Sequence, residues 1–269
     1  MSTKQATEEI LQVVDFRAAQ HFVQRHPSDF ATRLPAVQRA LYLLFNEGYH
    51  GASAELAVRA ELCEEAMRLA ALLLGHPLGA TPATYALSAL MCLNKARLPA
   101  RLDASGRLNS LFDQDRSLWD QKQVSEGLQL LDLLANGSEL SEYHVEAGIV
   151  AVHATAPSVQ STNWEEIVSL YNTLMTIRPT PIVALNRAIA IGQLDGPKRG
   201  LEALRRIADA ERLAKYPFYE AAFGEFELQS GWASSRVNTF LQLWRSAEAR
   251  SSGNSSVSAS RPVVFDSRT

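Results

Sequence analysis

The segment Leu111–Asp120 reads LFDQDRSLWD and brings two carboxylates within two positions of each other, at Asp113 and Asp115. An Asp-x-Asp pair can hold one divalent cation, as in sugar-nucleotide and phosphoryl-transfer enzymes, because hard carboxylate oxygens suit Mg²⁺ or Mn²⁺. The pair also stands directly ahead of an apolar helical pattern, where a carboxylate accepts backbone N–H bonds and favours the positive end of the helix dipole. The neighbouring residues must decide between these two interpretations.

Arginines close to this pair favour the structural interpretation. Ion pairs to guanidinium groups would satisfy the carboxylates, and the same positive charge would weaken a cation site. The arginines are Arg97, Arg101, Arg107 and Arg116. We therefore predict that Asp113 and Asp115 cap a helix and pin a loop, with no metal ion and no cofactor. A divalent-metal enzyme that uses Asp113 and Asp115 remains as an alternative.

No other pattern in the sequence indicates catalysis. The histidines are scattered, and His144 and His153, nine positions apart on one predicted helix, would lie on opposite sides of its axis. The sequence contains no HExxH, GxSxG, Walker or GxGxxG motif. We predict that the protein is not an enzyme.

The composition of the chain excludes several further classes of protein function. With 269 residues, 46% of them hydrophobic, the chain can bury a large core, and a formal net charge of -3 provides no basic field for nucleic acid. Cys63 and Cys92 lie in apolar helical patterns without a CxxC pair, which is typical of buried thiols in a reducing compartment. No signal-peptide pattern and no run of roughly 18 apolar residues is found. We predict a cytoplasmic protein that neither enters a membrane nor binds DNA by itself.

Helical periodicity dominates the chain and predicts an all-α fold. Residues 33–49 repeat apolar positions at three and four and reach Gly48, which we predict to stop that helix. The further predicted helices are 54–74, 81–98 with Thr81 as N-cap, about 118–134, 141–154, 164–177, 181–193, and two or three within 197–250. We assign residues 1–30 to an N-terminal extension, 31–250 to the helical domain, and 251–269 to a disordered serine-rich tail.

Two features refine this all-α prediction. Residues 99–112 lose the helical period around a glycine-containing turn at Gly106, which predicts one small β-hairpin. Related stretches begin at Pro181 and Pro217, and each closes with a glycine, at Gly196 and Gly231. The two stretches begin 217 − 181 = 36 positions apart. This separation is close to the period of tetratricopeptide repeats, about 34 residues, and predicts stacked helix pairs of that kind.

Three residues outside the loop are further candidates for binding. Trp164 could line a ligand groove, although its stripe with Ile167, Leu170 and Leu174 is also typical of helix-pair packing. Asn186 and Arg187 could project into the concave face of a repeat array, where such folds bind peptides. A small-molecule-sensing repeat domain with its groove near Trp164 and Asn186 is therefore a second alternative.

Several motifs together resemble a known family. They are ALYLLFNEGYHG, LCEEAMRLAALLL, ALMCLNKARLPARLDASG, LFDQDRSLWD, YHVEAGIVAVHATA, NWEEIVSLYNTLMTIRPTPIVALNRAIAI and YPFYEAAFGEFELQSG. In order and in content they resemble the C-terminal tetratricopeptide-like extension of bacterial extracytoplasmic-function RNA polymerase sigma factors, over about residues 34–231. The resemblance implies a regulatory domain that modulates sigma activity through protein contacts, with RNA polymerase or the sigma N-terminal domains as partners.

The resemblance also marks what this chain does not match. Family members carry two promoter- and polymerase-binding domains ahead of the extension, and the roughly thirty residues before the matching region are too few for either domain and show no helix-turn-helix spacing. The resemblance makes Asp113, Gln114, Asp115, Arg116, Trp119 and Asp120 a family signature. In that interpretation, the DQDR segment positions the hairpin and the following helix for docking.

Overall fold

The computed structural model describes residues 27–50, 58–102, 109–133, 140–214 and 216–231. Every regular element in these ranges is a helix, which confirms the all-α prediction. The α-helices are α1 (Pro27–His50), α2 (Ala60–Leu74), α3 (Pro82–Lys95), α4 (Leu98–Arg101), α5 (Gln121–Asp132), α6 (Glu142–Thr155), α7 (Trp164–Ile177), α8 (Pro181–Asp195), α9 (Pro197–Arg205) and α10 (Pro217–Gln229). Two 3₁₀ turns, Arg116–Leu118 and Ala210–Leu213, complete the set.

The starts of the helices follow local sequence chemistry. Thr81 caps α3 as predicted, because its hydroxyl accepts a hydrogen bond from the Thr84 N–H at 3.3 Å, and Pro82 occupies the first turn. Thr180 caps α8 in the same way, with Pro181 following it. The two helices predicted from related stretches do begin at Pro181 and Pro217.

Two sequence predictions of helix limits need correction, and a third prediction is not confirmed. α1 does not stop at Gly48 but continues to His50. The helix predicted from Leu118 begins at Gln121, after the 3₁₀ turn. The β-hairpin predicted near residues 99–112 is not confirmed. Leu98–Arg101 is helical, and residues 109–112 form loop and turn, although Leu102 takes part in a β-bridge and the Asn109 N–H donates to the Arg101 oxygen at 2.7 Å. Residues 103–108, with Gly106, lie outside the described residues.

Other predictions also lie outside the described part of the chain. Residues 1–26 include most of the predicted N-terminal extension, and residues 232–269 include the predicted serine-rich tail and the end of the helical domain. Arg107 falls in the same category.

α3 lies at the centre of the N-terminal half. All of its residues from Ala86 to Asn94 are buried, because α1, α2, α5 and α6 pack around it. The two cysteines lie in this region, free and buried, as the sequence predicts. Burial raises the pKa of the Cys63 thiol to about 12 and that of Cys92 to about 11, so neither side chain is a thiolate at neutral pH.

α6 joins the two halves of the structure. It packs against α3, α5 and α7. Tyr143, Ala147 and Val150 belong to the core around α3, whereas Val145 and Ile149 belong to a second core built with α7 and α8. A third core, built from α8, α9 and α10, surrounds Phe226. The loop from Leu111 to Asp120 lies beside the C-terminal end of α6, where Arg116 binds its backbone.

Gly196, between α8 and α9, has a backbone that only glycine adopts at low cost, with φ 91° and ψ 165°. An added Cβ at Gly196 would meet no atom within 4 Å. Replacement by alanine therefore measures the cost of the backbone conformation alone, without a steric clash. We expect Gly196→Ala to lower the free energy of unfolding by about 1–2 kcal/mol. Urea denaturation monitored by circular dichroism measures the change, and a loss below about 0.5 kcal/mol would show that the turn relaxes freely.

Candidate functional site

The loop from Leu111 to Asp120 divides its side chains between inside and outside. Leu111, Gln114, Arg116 and Trp119 are buried. The side chains between them are exposed and form what we call the outward face, which consists of Asp113, Asp115, Ser117, Leu118 and Asp120. The loop is therefore anchored from within and displays an acidic and apolar surface to solvent.

Arg116 is the main anchor of the loop. Its guanidinium donates to the backbone oxygens of His153 at 2.9 Å and Ala156 at 2.8 Å, and to the hydroxyl of Thr162 at 3.2 Å. These acceptors lie at the end of α6 and in the α6–α7 connection, so the guanidinium satisfies carbonyls that the end of a helix leaves unpaired. Burial, with Arg97 as a second cause, lowers the pKa of Arg116 to about 10, which leaves it charged at neutral pH.

Trp119 and Gln114 secure the loop on the other side. The Trp119 ring is buried, with the guanidinium of Arg116 at 5.2 Å and that of Arg97 at 5.6 Å from its centroid. The Gln114 side chain accepts a hydrogen bond from Arg97 Nε at 3.3 Å and donates to the Asn109 backbone oxygen at 3.3 Å. The amide of Asp120 donates to the Ala96 oxygen at 2.9 Å, which ties the end of the loop to α3.

The three aspartates have separate local roles. Asp115 accepts from the Ser117 N–H at 2.9 Å and the Ser117 hydroxyl at 2.6 Å, bonds that lower its pKa. Asp120 caps α5 by accepting from the N–H groups of Lys122 at 2.9 Å and Gln123 at 3.2 Å. Asp113 accepts from the Ser110 hydroxyl at 2.6 Å, while partial burial raises its pKa. The sequence predicts the cap of the apolar helix at Asp113 or Asp115, but Asp120 caps that helix, Asp115 caps the 3₁₀ turn before it, and Asp113 accepts from a hydroxyl instead.

The predicted ion pairs of this loop are wrong for the described residues. Among the residues that the structure describes, no ion pair involves Asp113 or Asp115. Arg97 and Arg116 use their donors on amide, carbonyl and hydroxyl oxygens, and the Arg101 Nε donates to the Tyr49 oxygen at 3.0 Å. Within the described ranges, no group of three or more His, Cys, Asp or Glu side chains is arranged to hold a metal ion.

The remaining candidate residues lie apart from the outward face. Trp164 is buried in the core, stacked on Phe112 at 5.8 Å between ring centroids, and its indole N–H donates to the Val159 oxygen at 3.3 Å. Arg187 Nε donates to the Asn172 side chain at 2.6 Å near the surface. Asn186 is buried on α8 and faces an internal cavity.

That cavity lies between α1, α3, α6, α7 and α8 and is closed on one side by Leu111 of the loop. Its volume is about 40 Å³. The polar side chains of its wall are Tyr42, Asn46, Asn94, Arg97, Glu146, His153, Tyr171 and Asn186. Of these wall residues, the sequence predicts a binding role only for Asn186. Glu146 and His153 carry a signal that could have been found, since they lie seven positions apart on one face of an otherwise apolar helix.

His153 lies between this cavity and the loop: its side chain lines the cavity, and its backbone oxygen accepts a hydrogen bond from Arg116. It is 2% exposed, and its ring meets Trp164 edge-on at 5.3 Å between centroids. Burial holds its pKa well below the ordinary value, and the positive charges of Arg97 and Arg116 add to the shift. His144, in contrast, lies at the start of α6, where its Nδ1 accepts from the Ser141 N–H at 3.0 Å.

The depressed pKa of His153 predicts a loss of stability in mild acid. The unfolded chain binds a proton at this residue near pH 6.5, whereas the folded chain stays neutral, so stability is fully present above that pH and falls below it. From pH 6.5 to 5.0, we expect wild type to lose about 2 kcal/mol more than His153→Gln. Urea unfolding across this pH range measures the difference, with His144→Gln as the control that keeps the slope due to His153. Parallel pH profiles for wild type and His153→Gln would contradict the expectation.

Comparisons with known proteins extend these observations. Fold and site together define an all-α protein with a pinned acidic loop and a polar internal cavity. Residues 33–135 match a family of unknown function, DUF6596. The matched segment contains α2 to α5 and most of α1. An uncharacterized protein of Rhizobium meliloti (strain 1021) is 39% identical over 212 residues, which are 79% of this chain and 49% of that protein. The chain thus spans about half the length of the relative it matches, and no solved structure matches it.

In the described ranges, no helix combines the length and the apolar character needed to cross a bilayer.

Proposed function

We propose that this chain is the regulatory, protein-interaction part of a sigma-factor-like transcription initiation protein. In this proposal it modulates sigma activity by contacting RNA polymerase or the sigma N-terminal domains, and it does not bind DNA by itself. The observation that carries the proposal is the outward face of the loop, where the exposed Leu118 shares one short segment with the exposed carboxylates of Asp113, Asp115 and Asp120. An apolar side chain within a charged rim is the arrangement found at protein interfaces.

The rigidity of the loop supports this role. Arg116 and Trp119 fix the backbone from within, and Asp115 and Asp120 fix it through their caps. A surface that is already ordered loses little conformational entropy on binding, so each contact contributes more to affinity. The acidic rim would favour a partner with a basic patch and would speed the encounter at low salt.

The helical stack supports a platform of tetratricopeptide-like type. α6 with α7 and α8 with α9 would form successive pairs, and α10 would begin the next pair, 36 positions after Pro181 by the difference 217 − 181. Neighbouring pairs in such arrays bury faces that one pair cannot bury alone. The Rhizobium meliloti relative also has about half of its length outside the matched region, which leaves room for further domains.

A binding experiment with a matched pair of variants tests the proposal. The chain is immobilised and incubated with RNA polymerase, and separately with a fragment that contains the two N-terminal domains of a sigma factor. Leu118→Ala changes a 55% exposed leucine of the outward face, and Leu43→Ala changes a 52% exposed leucine on α1. We expect wild type and Leu43→Ala to retain the partner equally, and Leu118→Ala to bind at least tenfold more weakly.

Two results would contradict the proposal. The first is that the wild-type chain retains neither partner although a longer relative with the same loop does. The second is that Leu118→Ala and Leu43→Ala weaken binding equally, which would remove the outward face from the interface.

A further inference from the structure

We propose that the internal cavity is a binding site for a small carboxylate anion and that Arg97 supplies its positive charge. The inference is independent of the proposed function, since it concerns the interior of the helical stack and not its outward face. It also changes the location of the binding site that the sequence suggests, because Asn186 lines the cavity whereas Trp164 does not.

The first argument is the surplus of positive charge at Arg97. The Arg97 side chain is 5% exposed, and among the described residues it forms no ion pair with a carboxylate. Its acceptors are two amide oxygens at long distances, Gln114 Oε1 at 3.3 Å and Asn94 Oδ1 at 3.5 Å. A guanidinium has five N–H donors and pays a large desolvation cost when it is buried without a counter-ion. Burial lowers the pKa of Arg97, Tyr49 acts in the opposite direction, and the nearby guanidinium of Arg101 lowers the pKa further.

The second argument is that the anionic group of the cavity already has its own partner. Glu146 binds Arg178 at 3.4 Å, and Arg178 also binds Glu142 at 3.1 Å. His153, with its depressed pKa, adds no charge at neutral pH. The Arg97 end of the cavity therefore has a positive charge that the described residues leave uncompensated, in surroundings where Arg116 adds to the positive potential.

The third argument is size and shape. A cavity of about 40 Å³ exceeds the space that one water molecule needs but is far smaller than one that holds an aromatic ring. A guanidinium presents parallel N–H groups that match the two oxygens of a carboxylate. The side-chain amides of Asn94 and Asn186 line the same cavity and make its wall polar. Formate is the simplest ion with this chemistry and serves as the probe.

The experiment compares a small and a large carboxylate at equal ionic strength. The chain is unfolded with urea in increasing sodium formate, and in parallel in sodium gluconate, whose anion is too large for the cavity. A ligand that binds only the folded state lowers the unfolding equilibrium constant by the factor 1 + [L]/Kd, which is about elevenfold at ten times Kd. We expect this reduction with formate and not with gluconate.

Two variants assign the effect to Arg97. Arg97→Gln should abolish the response to formate, whereas Arg68→Gln, which removes an exposed arginine of α2 that does not line the cavity, should keep it. If Arg97→Gln does not fold, ¹³C-labelled formate is added to the wild-type chain, and its resonance should broaden and then sharpen when unlabelled formate is added in excess. Equal responses to formate and gluconate, a response that persists in Arg97→Gln, or a formate resonance that wild type leaves sharp would overturn the proposal.

Discussion

Replacing Arg116 with alanine should lower the free energy of unfolding by about 3 kcal/mol, because the change removes three charge-assisted hydrogen bonds at a buried position. The oxygens of His153 and Ala156 would lose their guanidinium partner beneath the loop. Unsatisfied buried acceptors cost about 1–3 kcal/mol each, and this penalty exceeds the gain from no longer burying the charge. Urea unfolding at neutral pH measures the change.

Two further variants make the result specific. Arg68→Ala removes another hydrogen-bonded arginine, which pairs with Glu65 at 2.6 Å on an exposed face of α2 where its side chain is 57% exposed. It should change stability by less than about 0.5 kcal/mol, as exposed pairs do. Arg116→Lys retains the charge but not the planar set of donors, and should recover only part of the loss. If Arg116→Ala were no worse than Arg68→Ala, Arg116 would not be the anchor of the loop.

Replacing Gly48 with alanine is the second change with a large expected effect. An added Cβ would lie 2.7 Å from the Arg59 backbone oxygen and 2.8 Å from the Cys63 backbone nitrogen. These are backbone atoms of the entry to α2, so α1 and α2 would have to move apart. Overpacking of this kind costs about 1–3 kcal/mol, and we expect about 3 kcal/mol here because no flexible side chain can give way.

Gly148 provides the matched control for Gly48. It also lies inside a helix, α6, but its added Cβ would meet only the Leu170 side chain at 3.5 Å, an ordinary contact. Gly148→Ala should leave stability unchanged or raise it by up to about 1 kcal/mol through helix propensity. Thermal unfolding of the two variants separates the effects, and a Gly48→Ala protein as stable as Gly148→Ala would show that the two helices adjust freely.

Gly48 also shows why the limits of the helices were only partly predictable. A glycine near the end of an apolar stripe predicts the end of a helix, since glycine commonly follows the last helical residue. Here, glycine is needed because another helix approaches the backbone, which is a tertiary reason invisible to local periodicity. Where the local chemistry is sufficient, as with Thr81 and Pro82, the predicted cap is present.

The candidate site was likewise predictable from the sequence only in part. The capping role of Asp115 follows from its place before a helix, but the partners of Arg116 do not, because they lie 37–46 positions away on α6 and its connection. Proximity in sequence suggested ion pairs between the arginines and Asp113 or Asp115. In the fold, Arg97, Arg101 and Arg116 turn inward toward carbonyls and rings, while the two carboxylates turn outward. Apart from the spacing of Glu146 and His153 on α6, the cavity has no local signature, because five helices contribute to its wall.

The two-sided burial of α6 has a consequence for how the molecule folds. A helix that buries apolar side chains on opposite faces has little stability by itself in water, since most helical stability in proteins comes from tertiary packing. α6 therefore reaches its final state only when partners from both halves are in place, and neither half completes its core without it. Backbone amides in the middle of α6 should then exchange with solvent only when the whole domain opens, so the halves behave as one cooperative unit.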